Sequence, residues 1–405
     1  MEARFAARIR KPTTTGKTRR LSNLLWPKLG LEIRSLLLLI LILAPSAHAS
    51  KYYVSASQGS DNNDGRSPTT PWHTIAHVNQ QRLNPGDSVL LRRGDSWCET
   101  LKPASSGSPG RPITFGPYGS GAKPILDGAC SPTAIADFSI DNNEQSHLIY
   151  DNLDLRGARE GLRLYAWSVA ISNIRLQNSV ISSSSTVPHR TMSAGVYASV
   201  HTGSISGVTL RHNSFIPYPA GLEHWGIYFV KGVTNFRIED NTFGPAGEDA
   251  ICVWHSSHGV IARNRGGGNG ENTIDVKDSH HVWISDNQTD NDAEYNIVVH
   301  SVDANDLTYN IFVEGNRCLR GGQGGKLSAG IALLFVRRSK VRRNRVEDAY
   351  REGIIVIDVM KDSANEVSHN SLLIGERGRK GIVLDNAAGT RAYANLIRFR
   401  SSSPQ

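Results

Sequence analysis

The chain has 405 residues, 39% hydrophobic, 20% charged and 7% aromatic, which excludes a disordered, collagen-like or multi-span membrane protein. The formal net charge is +8, but residues 1–49 hold nine Lys/Arg and two Glu, or +7, leaving 36 basic and 35 acidic residues elsewhere. The basicity belongs to the leader, and the body has no field that would recruit nucleic acid.

Residues 4–34 form a long basic region, residues 36–44 an apolar run ended by Pro45, and Ala47-His48-Ala49 a small–x–small cleavage pattern. The apolar run is too short for a membrane-spanning helix, which takes about 20 residues. Residues 1–49 therefore read as a signal peptide, with no stable membrane span in the mature chain. An uncleaved anchor is the alternative, because the basic region is long; Arg19-Arg20 matches a twin-arginine signal only weakly. The mature protein is expected to be secreted or periplasmic, where disulfides form. Cys98 and Cys130 lie in one region and can pair; Cys252 and Cys318 show no metal-like spacing.

Residues 50–125 read as an N-terminal cap with the first strands: 52–55 and 88–92 as strands, 74–82 as a short helix, and Pro85-Gly86-Asp87 as a turn. Such a cap protects a first coil from edge pairing. GSDNNDG at 59–65 lacks the Glu of an EF-hand loop and reads as a turn.

Residues 126–400 repeat. GEDAICVWHSSHGVIARN (247–264) and GENTIDVKDSHHVWISDN (270–287) agree at eight of eighteen positions without a gap, 23 residues apart. Looser copies open at Gly161, Gly195, Gly226, Gly330, Gly353 and Gly381. Each runs through Gly, a short alternating strand, a polar turn, a second strand and a closing Asn; Asn213, Asn241, Asn264, Asn287, Asn316, Asn344, Asn370 and Asn395 hold that last slot. Two short strands per unit with no helical periodicity predict an all-β parallel β-helix, a solenoid of coils stacked at ~4.8 Å. Stacked Asn amides, each donor and acceptor, can hydrogen-bond from coil to coil. The Leu pattern of a leucine-rich repeat is absent, and a propeller has more strands per unit.

Residues 52–128 (YYVSASQGSDNNDGRSPTTPWHTI, PGDSVLLRRGDSW, GRPITFGPYGSG, PILDG) resemble the cap of secreted β-helix proteins of the pectate-lyase-like superfamily, and the coils resemble the same superfamily. The resemblance implies a right-handed β-helix. It also implies a range of activities: pectate, alginate and chondroitin lyases, polygalacturonases, epimerases and phage depolymerases, beside proteins with none.

Stacking the in-register coils sends Ile251, Val253, Ile274, Val276, Ile297 and Val299 inward. Two columns then face outward: Cys252, Asp275, Val298 and Trp254, Lys277, His300. Looser alignment adds Tyr228 and Val230, then Arg163 and Tyr165. Trp254, Tyr228, Tyr165 and Arg163 thus form a candidate substrate-binding row, with aromatic faces for sugar rings and charge for carboxylates. Just before the strands stand Glu248, Glu271 and Glu294, at 23-residue steps. Like charges ~5 Å apart repel by roughly 3 kcal/mol at an effective dielectric of about 20. With Asp249 and Asp275 nearby, this column must be protonated, splayed into water, paired with cations or filled by a metal, and its oxygen donors suit Ca²⁺. A solvated turn with the glutamates pointing apart is the plain alternative. Lys277 is either an ion-pair partner of Asp275 or Asp278 or, with a lowered pKa, a general base. His300 either positions substrate and donates a proton or is a plain surface histidine. Trp254 is either a sugar platform or a packing residue.

These features fit β-elimination from a uronate, and the resemblance adds roles. In pectate lyases acidic residues four apart in such a strand bind calcium, which carries to Glu271 and Asp275, with Asp249 as a further ligand. In alginate and chondroitin lyases a Lys shortly after calcium-binding acids is the base, which carries to Lys277. The Arg-x-Pro-x-x-Arg segment of pectate lyases, the DPHD motif of mannuronan epimerases and the Gly-His-Gly of polygalacturonases are absent. The expectation is a monomeric, exported, calcium-assisted lyase of an acidic polysaccharide. Lys277 and His300 are its catalytic residues, and Glu248, Asp249, Glu271, Asp275 and Glu294 surround the metal. Two alternatives stand beside it. One is a glycoside hydrolase using two carboxylates from Glu248, Asp249, Glu271 and Asp275; the other is a non-catalytic carbohydrate-binding or adhesion solenoid.

Overall fold

The structure, a computed structural model, describes residues 49–130, 137–182, 193–216, 224–302, 308–324, 328–358 and 363–400. Apart from Ala49, the expected leader lies outside the described residues, and among the described residues no helix is long and apolar enough to cross a membrane.

Three parallel sheets of 17, 12 and 10 strands run along the stack. One coil shows the plan. Ile251–Trp254 lies in the ten-stranded sheet, Ser257–Ala262 in the seventeen-stranded sheet and Arg265–Gly267 in the twelve-stranded sheet. The next coil repeats it with Asn272–Lys277, His280–Ser285 and Gln288–Asp290. Partners Ile251↔Ile274, Ser257↔His280 and Arg265↔Gln288 are each 23 residues apart. The chain is thus a parallel β-helix, with three strands per coil where two were expected. The third strand has one inward side chain among three residues, so no alternation betrays it in the sequence.

Inward residues of all three sheets form one continuous core, with Ile251, Ile274, Ile297, Ile261, Ile284 and Cys318 fully buried. One coil cannot bury such a row alone, so neighbours stabilise each other at about 25 cal/mol per Å² of apolar surface removed from water. The glycine heading each coil marks a close approach. A Cβ on Gly195 would stand 2.7 Å from the Gly226 carbonyl, and one on Gly226 2.5 Å from the Ala250 carbonyl and 2.9 Å from the Phe243 ring.

The asparagine column is a hydrogen-bond ladder. Asn287 Nδ2 donates to Asn316 Oδ1 at 2.9 Å and to the Ile261 carbonyl at 2.9 Å, while its Oδ1 accepts from Asn264 N and Nδ2 at 2.9 and 3.0 Å. The same bonds link Asn213 through Asn395. Each ladder residue follows a left-handed corner: φ is 57° at Asp240, 55° at Arg263, 56° at Asp286 and 56° at Arg343. That conformation costs an L-residue roughly 1–2 kcal/mol, so the ladder offsets strain as well as saturating buried backbone groups.

At the N-terminus, Lys51–Val54 and Ser88–Arg92 open the seventeen-stranded sheet, and helix Ile75–Gln80 begins at Thr74, whose side chain accepts from His77 N. Ile75 and Val78 reach the core. In the 59–65 loop, Asp61 accepts from His73 N and Thr74, and Asp64 from Arg66 N and Thr70, as turn residues do. Cys98 and Cys130 form a disulfide, while Cys252 and Cys318 are buried thiols.

Candidate active site

The outer face of the ten-stranded sheet carries the chemistry. Ladders place Cys252 beside Asp275 and Asp275 beside Val298, and likewise Trp254 beside Lys277 and Lys277 beside His300. Upstream, Tyr228 adjoins Cys252, Tyr197 adjoins Tyr228, and Arg163 adjoins Tyr197. Arg163 and Tyr228 therefore share the Asp275 column. Tyr165 does not share the Trp254 column as expected. A bulge between Ala198 and Ser199 pairs Ser199 with both Tyr165 and Lys231, which moves Tyr165 one residue out of line. Arg163 is already engaged: its Nη2 lies 2.8 Å from Asp141 Oδ2 and its guanidinium 4.0 Å from the Phe138 ring centroid.

Two aspartates form the centre. Among the described residues, Asp249, Cys252 and Asp275 are the set of potential ligands whose donor atoms all fall within 4.8 Å of one another. Asp249 is 1% and Asp275 3% exposed. Trp225 Nε1 donates to Asp249 Oδ2 at 3.2 Å, and Asn272 N and Nδ2 donate to Oδ1 at 3.2 and 2.9 Å. Asp275 instead faces the Lys277 ammonium, with Nζ at 3.2 Å, and the His300 imidazole, with Nε2 at 3.0 Å. Burial, then the charges of Asp275 and Glu271, hold the Asp249 pKa well above the carboxylate range. Burial also pushes Asp275 upward, but His300 and Lys277 outweigh it and bring its pKa below the ordinary value. Environment thus drives the two carboxyl groups in opposite directions, Asp249 toward the neutral acid and Asp275 toward the carboxylate.

Lys277 does not meet the condition for a neutral general base. Burial disfavours its charge, yet Asp275, Cys252 and Asp249 outweigh burial and raise its pKa. It stands as an ammonium, paired with Asp275 and 5.4 Å from the Trp254 ring centroid. Trp254 is fixed edgewise, its Nε1 donating to Asp278 Oδ2 at 2.9 Å. Tyr228 packs on Trp225 at 4.5 Å, making a wall over Cys252 rather than an open platform.

The three glutamates do step coil by coil: Glu271 N donates to the Glu248 carbonyl and Glu294 N to the Glu271 carbonyl. Their carboxylates, however, stand outside the 4.8 Å set, and Glu294 is exposed. Partial desolvation, then the charges of Glu271 and Asp275, raise the Glu294 pKa. The central set fits calcium poorly. Ca²⁺ takes six to eight oxygen donors, whereas this set includes a thiol and has Lys277 Nζ on Asp275. Sequence reasoning missed Trp225 and Asn272. Asn272 was within reach, since it lies 23 residues after Asp249 and repeats its position; Trp225 carried no such signal. Two concavities, of about 410 Å³ beside Arg320 and Tyr350 and about 390 Å³ beside His147 and Arg175, lie away from the aspartates.

Residues 225–398 match the family model described as the right handed beta helix region. A lacto-N-biosidase of Bifidobacterium longum subsp. longum is 34% identical over 87 residues, a stretch covering 20% of this chain and 5% of that relative. The GH136 lacto-N-biosidase from Eubacterium ramulus superposes with a TM-score of 0.60 at 17% identity, covering 91% of this chain and 71% of that one. An alginate lyase from Paenibacillus sp. gives 0.52 at 16% identity, covering 82% and 98%. These likenesses establish the right-handed parallel β-helix that the cap and the coils resembled.

Proposed function

We propose that this right-handed β-helix is a retaining glycoside hydrolase, with Asp275 as nucleophile and Asp249 as acid–base. The observation that carries the reading is a pair of buried carboxyl groups within 4.8 Å whose pKa values are driven in opposite directions. Retaining enzymes hold their carboxyl groups about 5–5.5 Å apart, whereas inverting ones leave roughly 6.5–9.5 Å for a water. Asp275 bonds to the anomeric carbon as the glycosidic C–O bond breaks, and the Asp249 proton passes to the leaving oxygen. Asp249, now a carboxylate, takes a proton from the water that attacks the anomeric carbon and frees Asp275. Lys277 and His300 keep Asp275 ionised and positioned. The resemblance to lacto-N-biosidases supports a glycan substrate. Selection for an acidic one has little left to rest on, because Lys277, His300 and Arg163 each already face an aspartate.

Calcium-assisted elimination is the second reading. It is favoured by the acidic column, where Glu271 and Asp275 act on Glu294, and opposed by the thiol and ammonium at the centre. The two readings part on chelation: EDTA is expected to leave the hydrolytic rate unchanged, and loss of activity restored by Ca²⁺ would count against the hydrolase.

Glycan cleavage should follow a bell-shaped pH profile. Activity falls with rising pH as Asp249 loses its proton, well above the ordinary carboxylate value of ~3.9. It falls with falling pH as Asp275 is protonated, below that value. Glu271→Gln removes a charge that raises Asp249, so the alkaline limb should move to lower pH with the acid limb little changed. An unmoved alkaline limb would separate Glu271 from the pair.

A further inference from the structure

Trp167 is 57% exposed, at the corner that follows strand Glu160–Ala166. Its indole stacks on His201 (centroids 4.3 Å apart, planes 16°), with Tyr165 at 5.9 Å. The corner is rigidly tied. Thr202 N and Oγ1 donate to the Trp167 carbonyl at 3.0 and 2.6 Å, and Glu144 Oε1 accepts from Ser168 N and Val169 N at 3.0 and 3.4 Å. A large apolar ring is thus held in water by a preformed frame.

The ladder Asp275–Cys252–Tyr228–Tyr197–Arg163 counts four coils from the acid pair to the Trp167 strand, about 19 Å at ~4.8 Å per coil. Both lie on the ten-stranded sheet or the corner that ends it. The large hydrophobic residues exposed here are Trp167 and Val169, too small a patch for a protein partner, which buries about 800 Å² per side. One aromatic ring among hydroxyls, an imidazole and a carboxylate matches the mixed apolar and hydroxylated faces of a pyranose.

We infer that Trp167, backed by His201, is a distal subsite that stacks a sugar unit of a glycan chain lying along the coils, several units from the bond that is cleaved. The inference rests on the glycan reading of this face. The test uses the full chain and its Trp167→Ala and Trp167→Phe variants, in gel retention and kinetics with alginate, polygalacturonate, xylan and their short oligosaccharides. Trp167→Ala should weaken retention and raise KM about tenfold on a long polymer that wild type recognises, as loss of one aromatic contact does. It should leave kcat/KM unchanged on short oligosaccharides, and Trp167→Phe should restore part of the loss. Weakened retention without cleavage by wild type would overturn the hydrolase and keep the subsite. Cleavage with equal loss, or none, on long and short substrates would overturn the subsite and keep the hydrolase. No retention of wild type by any polymer overturns the subsite.

Discussion

Asp275→Asn is expected to cut glycan cleavage by roughly 10⁴-fold or more while the protein stays folded. The substitution keeps volume and hydrogen-bonding oxygen but removes the negative charge that the mechanism places on the anomeric carbon. It should also act on its neighbours. Asp275 is, after burial, the main reason Asp249 holds its proton; without it Lys277 turns to Asp249, whose pKa should fall. Any residual activity should therefore lose its alkaline limb at lower pH than wild type. Asp275→Gly with formate or azide as an external nucleophile should recover part of the rate. Lys277→Ala, by contrast, should reduce activity by less, since Lys277 acts through Asp275. A variant at 275 with normal turnover would remove the nucleophile from the account.

Asn287→Ala is expected to destabilise the β-helix by roughly 3 kcal/mol. The side chain donates to Asn316 and the Ile261 carbonyl and accepts two bonds from Asn264, all in the buried interior. Its loss strands the Asn264 N–H and the Ile261 carbonyl without water, at about 1–3 kcal/mol for each unsatisfied group. The left-handed corner at Asp286 also loses its brace. Asn395→Ala removes the last rung, where the residue is half-buried, and should cost less than half as much. Urea unfolding of the two variants measures the contrast; equal costs would mean that the ladder does not act by burial.

The coils were legible because 23-residue copies preserve Gly, the alternating pair and Asn, each fixed by a physical constraint: a close approach at Gly195 and Gly226, a core column at Ile251 and Ile274, a ladder at Asn264 and Asn287. The Cys252–Asp275 and Trp254–Lys277–His300 columns followed from that period alone. The bulge at Ala198/Ser199 was not legible, because one inserted residue leaves no mark on apolar spacing and yet shifts Tyr165. Asp249 and Asp275 stood among the candidate acids in the sequence, but the period alone drew attention to the glutamate column beside them. The period repeats an acid only in the Glu248 column, whereas hydrogen bonds from Trp225 and Asn272 hold Asp249 against Cys252 and Asp275. The sign of the Lys277 shift was likewise hidden, because it depends on three acidic neighbours outweighing burial.

In the proposed mechanism Asp249 and Asp275 break a glycosidic bond through a covalent sugar intermediate. Product analysis by nuclear magnetic resonance and ultraviolet absorbance, on a glycan the protein cleaves, tests it most directly. New reducing ends of retained anomeric configuration, with no unsaturated uronate, are the expected result. Inverted anomers or an absorbing unsaturated end would contradict it.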